Sequence, residues 1–198
     1  MKMQRTTLAA LLMTSFAFTP VVQADIYLTP WVGYTAGGSV ENQDGAEFDI
    51  KPSENYALSV ETDLDNGRVG MFYSAQSSDV EEVSASSTIH YLLFQSAIYY
   101  PLESQFSGYL GLGLGASYVD ADWVDDKYGF SASIYGGFEY AITDNLALNS
   151  QLRWLGTAVD NDTSGVCHIP SSEGPCVIRF KTEWMNQVSA NIGVTFTF

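Results

Sequence analysis

The chain has 198 residues, 46 % of them hydrophobic and 14 % aromatic, with 8 Lys+Arg against 23 Asp+Glu. A net charge of −15 repels a phosphate backbone, which excludes a role in nucleic-acid binding. Beyond the N-terminal segment no window reaches the roughly 18 apolar residues that a transmembrane helix needs, so a helical membrane protein is excluded as well.

At the N-terminus Met1, Lys2 and Arg5 precede an apolar run from Leu8 to Val22 that is broken by Thr14, Ser15, Thr19 and Pro20. Val22 and Ala24 then supply small residues at the two positions a signal peptidase reads, so residues 1–24 read as a secretory signal peptide cleaved after Ala24. The mature domain is then 25–198, and without Lys2 and Arg5 it keeps 6 Lys+Arg against 23 Asp+Glu, a net charge of −17. A chain of this size is expected to form one domain.

Eight strands follow in order. The first runs from Ile26 to Ala36, and a second carries Tyr56, Leu58 and Val60 on one face with Ser59, Glu61 and Asp63 on the other. Asp65-Asn66-Gly67 is a hairpin signal, because Asn-Gly tolerates positive φ. A third strand sets Val69, Met71, Tyr73 and Ala75 against Gly70, Phe72 and Ser74. Residues 88–100 form a fourth that is apolar on both parities; Tyr100 is placed on the lipid side by analogy with Tyr140. In the fifth, Leu110, Leu112, Leu114, Ala116 and Tyr118 alternate with Gly111, Gly113, Gly115 and Ser117, leaving a nearly bare face that asks for a bulky neighbour such as Arg153. The sixth alternates Phe130, Ala132, Ile134, Phe138 and Tyr140 with small or polar residues, and the seventh sets Leu146, Leu148, Leu152 and Trp154 against Asn149, Gln151 and Arg153. The last strand, Trp184 to Phe198, has Val188, Ala190, Ile192, Val194 and Phe196 on one face and Gln187, Ser189, Asn191, Thr195 and Thr197 on the other.

Connections fall into two classes that take turns. Short turns lie at Asp65–Gly67, Pro101–Gln105 and Thr143–Asn145; long acidic loops lie near 37–53, 78–87, 119–127 and 158–180. A soluble sandwich has no reason to sort its loops this way, whereas an outer-membrane barrel has short periplasmic turns, longer external loops and an even strand number. Tyr100, Tyr140, Phe196 and Phe198 near the turns, and Tyr34, Tyr56, Tyr118, Tyr128, Trp154 and Trp184 near the loops, can form the two aromatic girdles of such a barrel. The fold class read from the chain is all-β, an eight-stranded antiparallel transmembrane up-and-down β-barrel. A soluble lipocalin-like barrel is the structural rival and would reverse the facing of every strand.

The signal peptide, the strand tally, the turn motifs Tyr100-Pro101-Leu102 and Tyr140-Ala141-Ile142-Thr143 and the terminal Thr195-Phe196-Thr197-Phe198 together resemble the OmpA/OmpX-like family of eight-stranded outer-membrane barrels. The resemblance covers the mature chain and specifies architecture only. It implies a Gram-negative outer membrane, and it implies that Phe198 is the C-terminal aromatic by which the barrel-assembly machinery recognises its clients. Outer-membrane lipids and lipopolysaccharide are the other expected partners, and a monomer is the expected state.

The strand parities point Glu61, Asp63, Arg68, Glu139, Arg153 and Glu183 into the barrel, where eight strands leave room only for packed side chains and the charges are expected to pair through a hydrogen-bonded interior. A structural polar core is favoured there over a gated ion path. Cys167 and Cys176 lie close together in one polar loop of an exported chain and read as a disulfide. Asp160-Asn161-Asp162-Thr163-Ser164-Gly165 matches half of a calcium loop, but the twelfth position is Ser171 rather than Glu, so a solvated acidic loop is the default. Acids such as Asp79, Glu81, Glu82, Asp120, Asp122, Asp125 and Asp126 would gather at the outer mouth, where divalent cations could weakly bridge them to lipid phosphates. No resident cofactor is expected. His90, with Ser87 three residues before it, and His168, with Ser171 and Glu173 nearby, are the candidates for general bases acting on lipid A; neither arrangement matches a recognisable signature, and a non-enzymatic structural or surface-interaction role is expected.

Overall fold

The computed structural model describes residues 24–37, 39–42, 47–49, 51–79, 86–120, 127–158, 165–167, 176–180 and 184–198. The signal peptide, the acids at 81, 82, 122, 125 and 126, the half-calcium pattern at 160–164, and His168, Ser171, Glu173 and Glu183 lie outside them.

In chain order the strands are β1 (Ile26–Ala36), β2 (Ser39–Asn42), β3 (Glu47–Asp49), β4 (Ser53–Leu64), β5 (Gly67–Asp79), β6 (Ser86–Glu103), β7 (Phe106–Asp120), β8 (Tyr128–Thr143), β9 (Leu146–Ala158), β10 (Gly165–Cys167), β11 (Cys176–Phe180) and β12 (Trp184–Thr197). Eight of them close an antiparallel up-and-down barrel in the order β1-β4-β5-β6-β7-β8-β9-β12, with β12 returning to β1. The seam is sealed to its last residue, since Ile26 and Phe198 exchange backbone hydrogen bonds of 3.2 and 3.0 Å. Each barrel strand has at least 11 residues, enough to cross a hydrocarbon layer at the usual tilt of about 45°.

The wall faces the way a membrane requires. Leu110, Leu112 and Leu114 are 61 %, 62 % and 58 % exposed, whereas Gln151, Ser189 and Asn191 point inward and are buried. A barrel in water would bury the leucines and wet the amides. This inversion decides against the lipocalin-like rival. Tyr100 is exposed on the outer face, while Tyr91 and Leu93 of the same strand are buried inside.

Two features of the connections differ from the sequence reading. β5 and β7 run on to Asp79 and Asp120 and β6 begins at Ser86, so strand reaches into both ends of the connection near 78–87 and into the start of that near 119–127. The connections near 37–53 and 158–180 contain β2, β3, β10 and β11, which form a second sheet in the order β10-β11-β2-β3. β11 pairs with β2 by setting Arg179 opposite Glu41 and Phe180 opposite Val40, which carries the β1/β12 neighbourhood on beyond the barrel. At the first hairpin the two turn residues are Asp65 and Asn66, and positive φ falls on Asp65 (48°). Gly67 belongs to β5, where an added Cβ would collide with the carbonyl oxygen of Ala97, so its glycine serves close strand approach rather than the turn.

Candidate functional site

The lumen of a narrow barrel must be filled by whatever the inward parities supply. Here the filling changes along the axis. From mid-height towards the loop end an apolar cluster of Trp31, Phe72, Ile89, Tyr91, Leu93, Leu155 and Met185 is set among buried polar side chains that bond one another, such as Asn55 with Thr35 and Ser131 with Thr157. The few polar atoms of the cluster are satisfied locally, with Trp31 Nε1 donating to Ser59 Oγ (3.1 Å) and Tyr91 OH donating to Gln187 Oε1 (2.8 Å).

Below this plug sits Arg153, fully buried at 0 % exposure. Its guanidinium donates through Nε to Gln151 Oε1 (3.0 Å), through Nη1 to Ser133 Oγ (2.9 Å) and through Nη2 to Gln95 Oε1 (2.6 Å). Its Cζ lies 3.8 Å from the Phe72 ring centroid and 4.1 Å from that of Tyr135, so two aromatic rings meet the cation. No carboxylate reaches Arg153 directly among the described residues. Instead Gln95 bridges: its Oε1 accepts from Arg153 Nη2 and its Nε2 donates to Glu61 Oε1 (2.9 Å). Glu61 and Arg153 are thus linked through the hydrogen-bonded interior without touching. An amide has both a donor and an acceptor end, so it can hold two opposite charges apart and satisfy each.

Towards the turn end the charges do meet. Arg68 Nη1 and Nη2 donate to Glu139 Oε2 and Oε1 at 2.7 and 2.8 Å, a bidentate pair with 12 % of each side chain exposed. The Arg68 guanidinium is 3.6 Å from the Tyr27 ring centroid and 4.4 Å from that of Tyr99. Asn149 Nδ2 adds a bond to Glu139 (3.1 Å) and another to Thr195 Oγ1 (2.7 Å). Asp63 lies on the exposed rim, accepting from Tyr27 OH (2.9 Å), rather than inside with Glu61.

The bare face of β7 is where these bulky groups lodge. A Cβ on Gly111 would collide with the Tyr135 ring, and one on Gly113 would lie 2.7 Å from Ser133 Oγ and 3.6 Å from Arg153 Nη1. Gln95, the residue that ties the interior together, was not singled out from sequence. Its one signal is that it is the sole amide in residues 88–100, an otherwise apolar strand.

At the loop end, the second sheet sets Cys167 directly opposite Cys176. Their side chains, and with them the expected bond, lie outside the described side chains. His90 points outward from β6 with Nδ1 2.9 Å from Tyr73 OH, and Ser87 has no described side chain. A depression of about 1280 Å³ lies mostly against outward side chains, among them Tyr34, Leu110, Phe138, Leu152 and Ile192, and is a feature of the outer wall, not a channel. No group of three or more metal-ligating side chains occurs among the described residues.

A closed eight-stranded wall with an apolar exterior and a packed, hydrogen-bonded interior defines a transmembrane barrel of the outer-membrane class. The chain belongs to the family described as the outer membrane protein β-barrel domain, whose model matches residues 8–198. No curated protein matches it. Among solved structures it is similar to the Neisserial surface protein A (14 % identity, TM-score 0.61, covering 87 % of this chain and 97 % of that one). It is also similar to the outer membrane protein AlkL (14 %, 0.53, 88 % and 90 %) and to the outer membrane protease OmpT of Escherichia coli (11 %, 0.51, 93 % and 99 %). At such identities these are likenesses of fold.

Proposed function

We propose that the protein is a non-enzymatic barrel of the Gram-negative outer membrane whose role is structural or one of surface interaction, exercised through its acidic external loops. The observation that carries this reading is the second sheet: the connections after β1 and after β9 pair through β2 and β11 into one platform standing beyond the wall. Loops that serve only to join strands have no need to be zipped together, whereas a presented surface gains from the order. The directly opposed Cys167 and Cys176 support a disulfide at this platform, since Cα atoms across an antiparallel pair stand about 4.5–5.5 Å apart, within the reach of the bond. The filled lumen favours this reading over a small pore. His90 bonded to a tyrosine, with no carboxylate partner among the described residues, favours it over catalysis on lipid A.

In this reading the exposed Phe198 at the end of β12 is the recognition residue for the assembly machinery, lipopolysaccharide surrounds the wall, and the barrel is monomeric. Divalent cations at the acidic loops are weak bridges to lipid phosphates rather than resident cofactors. The test is to replace residues 168–175 with a Gly-Ser segment and compare adhesion of cells displaying each form to immobilised matrix proteins. Loss of adhesion with retained heat-modifiable mobility supports the surface role. Steady single-channel conductance by the wild type, or release of fatty acid from lipid A that depends on His90 or His168, would overturn it.

A further inference from the structure

The second sheet ends in an open edge. Its order is β10-β11-β2-β3, and β3 (Glu47–Asp49) pairs with β2 and, among the described residues, with nothing else. A strand edge carries backbone N–H and C=O groups, which make it a template for one more extended segment.

The register says what that segment should carry. Across the sheet Arg179 of β11 stands opposite Glu41 of β2, and Glu41 opposite Glu47 of β3; in the next row Phe180 stands opposite Val40, and Val40 opposite Phe48. Positions alternate between the two faces along each strand, so Glu41, Glu47, Asp49 and Arg179 share one face, and Val40, Phe48, Ile178 and Phe180 share the other. The charged row reads cation, anion, anion. Like charges directly opposite on neighbouring strands are unfavourable, and a cation on an added strand would set an opposite charge on the open side of Glu47. An apolar residue opposite Phe48 continues the apolar row, and a second cation stands opposite Asp49. Lys51 comes two residues after β3 and outside its pairing. The three residues of β3 therefore specify a partner that reads basic, apolar, basic.

A second copy of the chain fits poorly. Antiparallel pairing of β3 with itself about Phe48 would set Glu47 against Asp49 twice, acid on acid, in a chain with 23 Asp+Glu and 8 Lys+Arg. Charge closes the edge to self-association and leaves it open to a partner of the other sign.

We infer that the β3 edge is a docking site for an extended segment of a partner protein in which basic and apolar residues alternate. The segment joins the sheet as a fifth strand. Main-chain hydrogen bonds hold it, while Glu47 and Asp49 on one face and Phe48 on the other select its sequence. The inference rests on the surface-interaction role proposed above and names the chemistry of the partner.

The test uses the full mature chain in a non-ionic detergent and labelled synthetic peptides, read by fluorescence anisotropy. A peptide of alternating Lys and Val is expected to bind saturably, about tenfold tighter than one of the same composition with its lysines and valines in separate blocks. N-methylation of the peptide's backbone amides, which keeps its side chains and removes its main-chain donors, is expected to abolish binding. Glu47→Lys combined with Asp49→Lys is expected to turn the preference towards a peptide of alternating Glu and Val while the heat-modifiable band persists. Equal binding of the alternating and blocked peptides would mean charge attraction alone and would overturn the edge. So would failure of the alternating peptide to bind while adhesion still depends on residues 168–175, a result that leaves the surface role standing.

Discussion

The two halves of the lumen are filled differently. Towards the loops the inward positions hold an apolar plug around Trp31, Leu93 and Leu155 set among neutral hydroxyls and amides; towards the turns they hold the charged Arg68–Glu139 pair caged by Tyr27 and Tyr99. The difference is one of water access. Arg68 and Glu139 keep 12 % of their side chains exposed and solve their desolvation by pairing directly, with a bidentate bond. Arg153, under the plug and wholly dry, is held by neutral amide and hydroxyl oxygens and two ring faces, with its counter-charge Glu61 one glutamine away. A buried charge in this barrel is thus tolerated either by a partner or by a complete set of dipoles.

Substitutions at Arg153 should separate the two arrangements most widely. Arg153→Ala would leave Gln95, Ser133 and Gln151 without their donor and open a void, and a loss of about 4 kcal/mol in urea unfolding from lipid vesicles is expected. Arg68→Ala should cost clearly less, because its end of the lumen can rehydrate; equal losses would erase the distinction. Next in size is the plug itself: Leu93→Ala should cost about 3 kcal/mol through the cavity it leaves. Gly113→Ala should follow at about 2 kcal/mol, because its new methyl group crowds the Ser133 hydroxyl that accepts from Arg153, whereas the outward-facing Ala116→Ser on the same strand should be nearly neutral. Glu139→Gln, which keeps the shape but removes the charge opposite Arg68, is expected to lose about 1.5 kcal/mol in the same assay.

The plug also bears on conduction. Trp31, Phe72 and Leu93 fill the middle of an eight-stranded lumen, so a pore would have to pass this plug. Shrinking the plug with Leu93→Ala is therefore a sharper probe of conduction than neutralising Glu139. Planar-bilayer currents that respond to Glu139→Gln and not to Leu93→Ala would reverse the roles given to the two halves.

Much of this architecture is legible in the residues because a membrane barrel writes itself with period 2. Leu110 to Tyr118 on one parity and Gly111 to Ser117 on the other state the facing of β7 once lipid is known to lie outside, and the alternation of short turns with long loops supplies that knowledge. Parity likewise put Glu61, Arg68, Glu139 and Arg153 on the inner face. It carried no information about which of them touch, because partners such as Arg68 and Glu139 are 71 residues apart and meet across the lumen. Gln95 escaped for the same reason: its role depends on standing between Glu61 and Arg153 in space. The pairing of β2 with β11 escaped because both are short and the residues between them in sequence span nearly the whole barrel. By itself the sequence determined the eight strands of the barrel and the inside and outside of its wall, since each follows from local alternation and from the solvent on either side. Only the tertiary structure decided which charges pair, where the lumen is dry and which loops join, because closing the barrel is what brings residues from distant strands within hydrogen-bond reach.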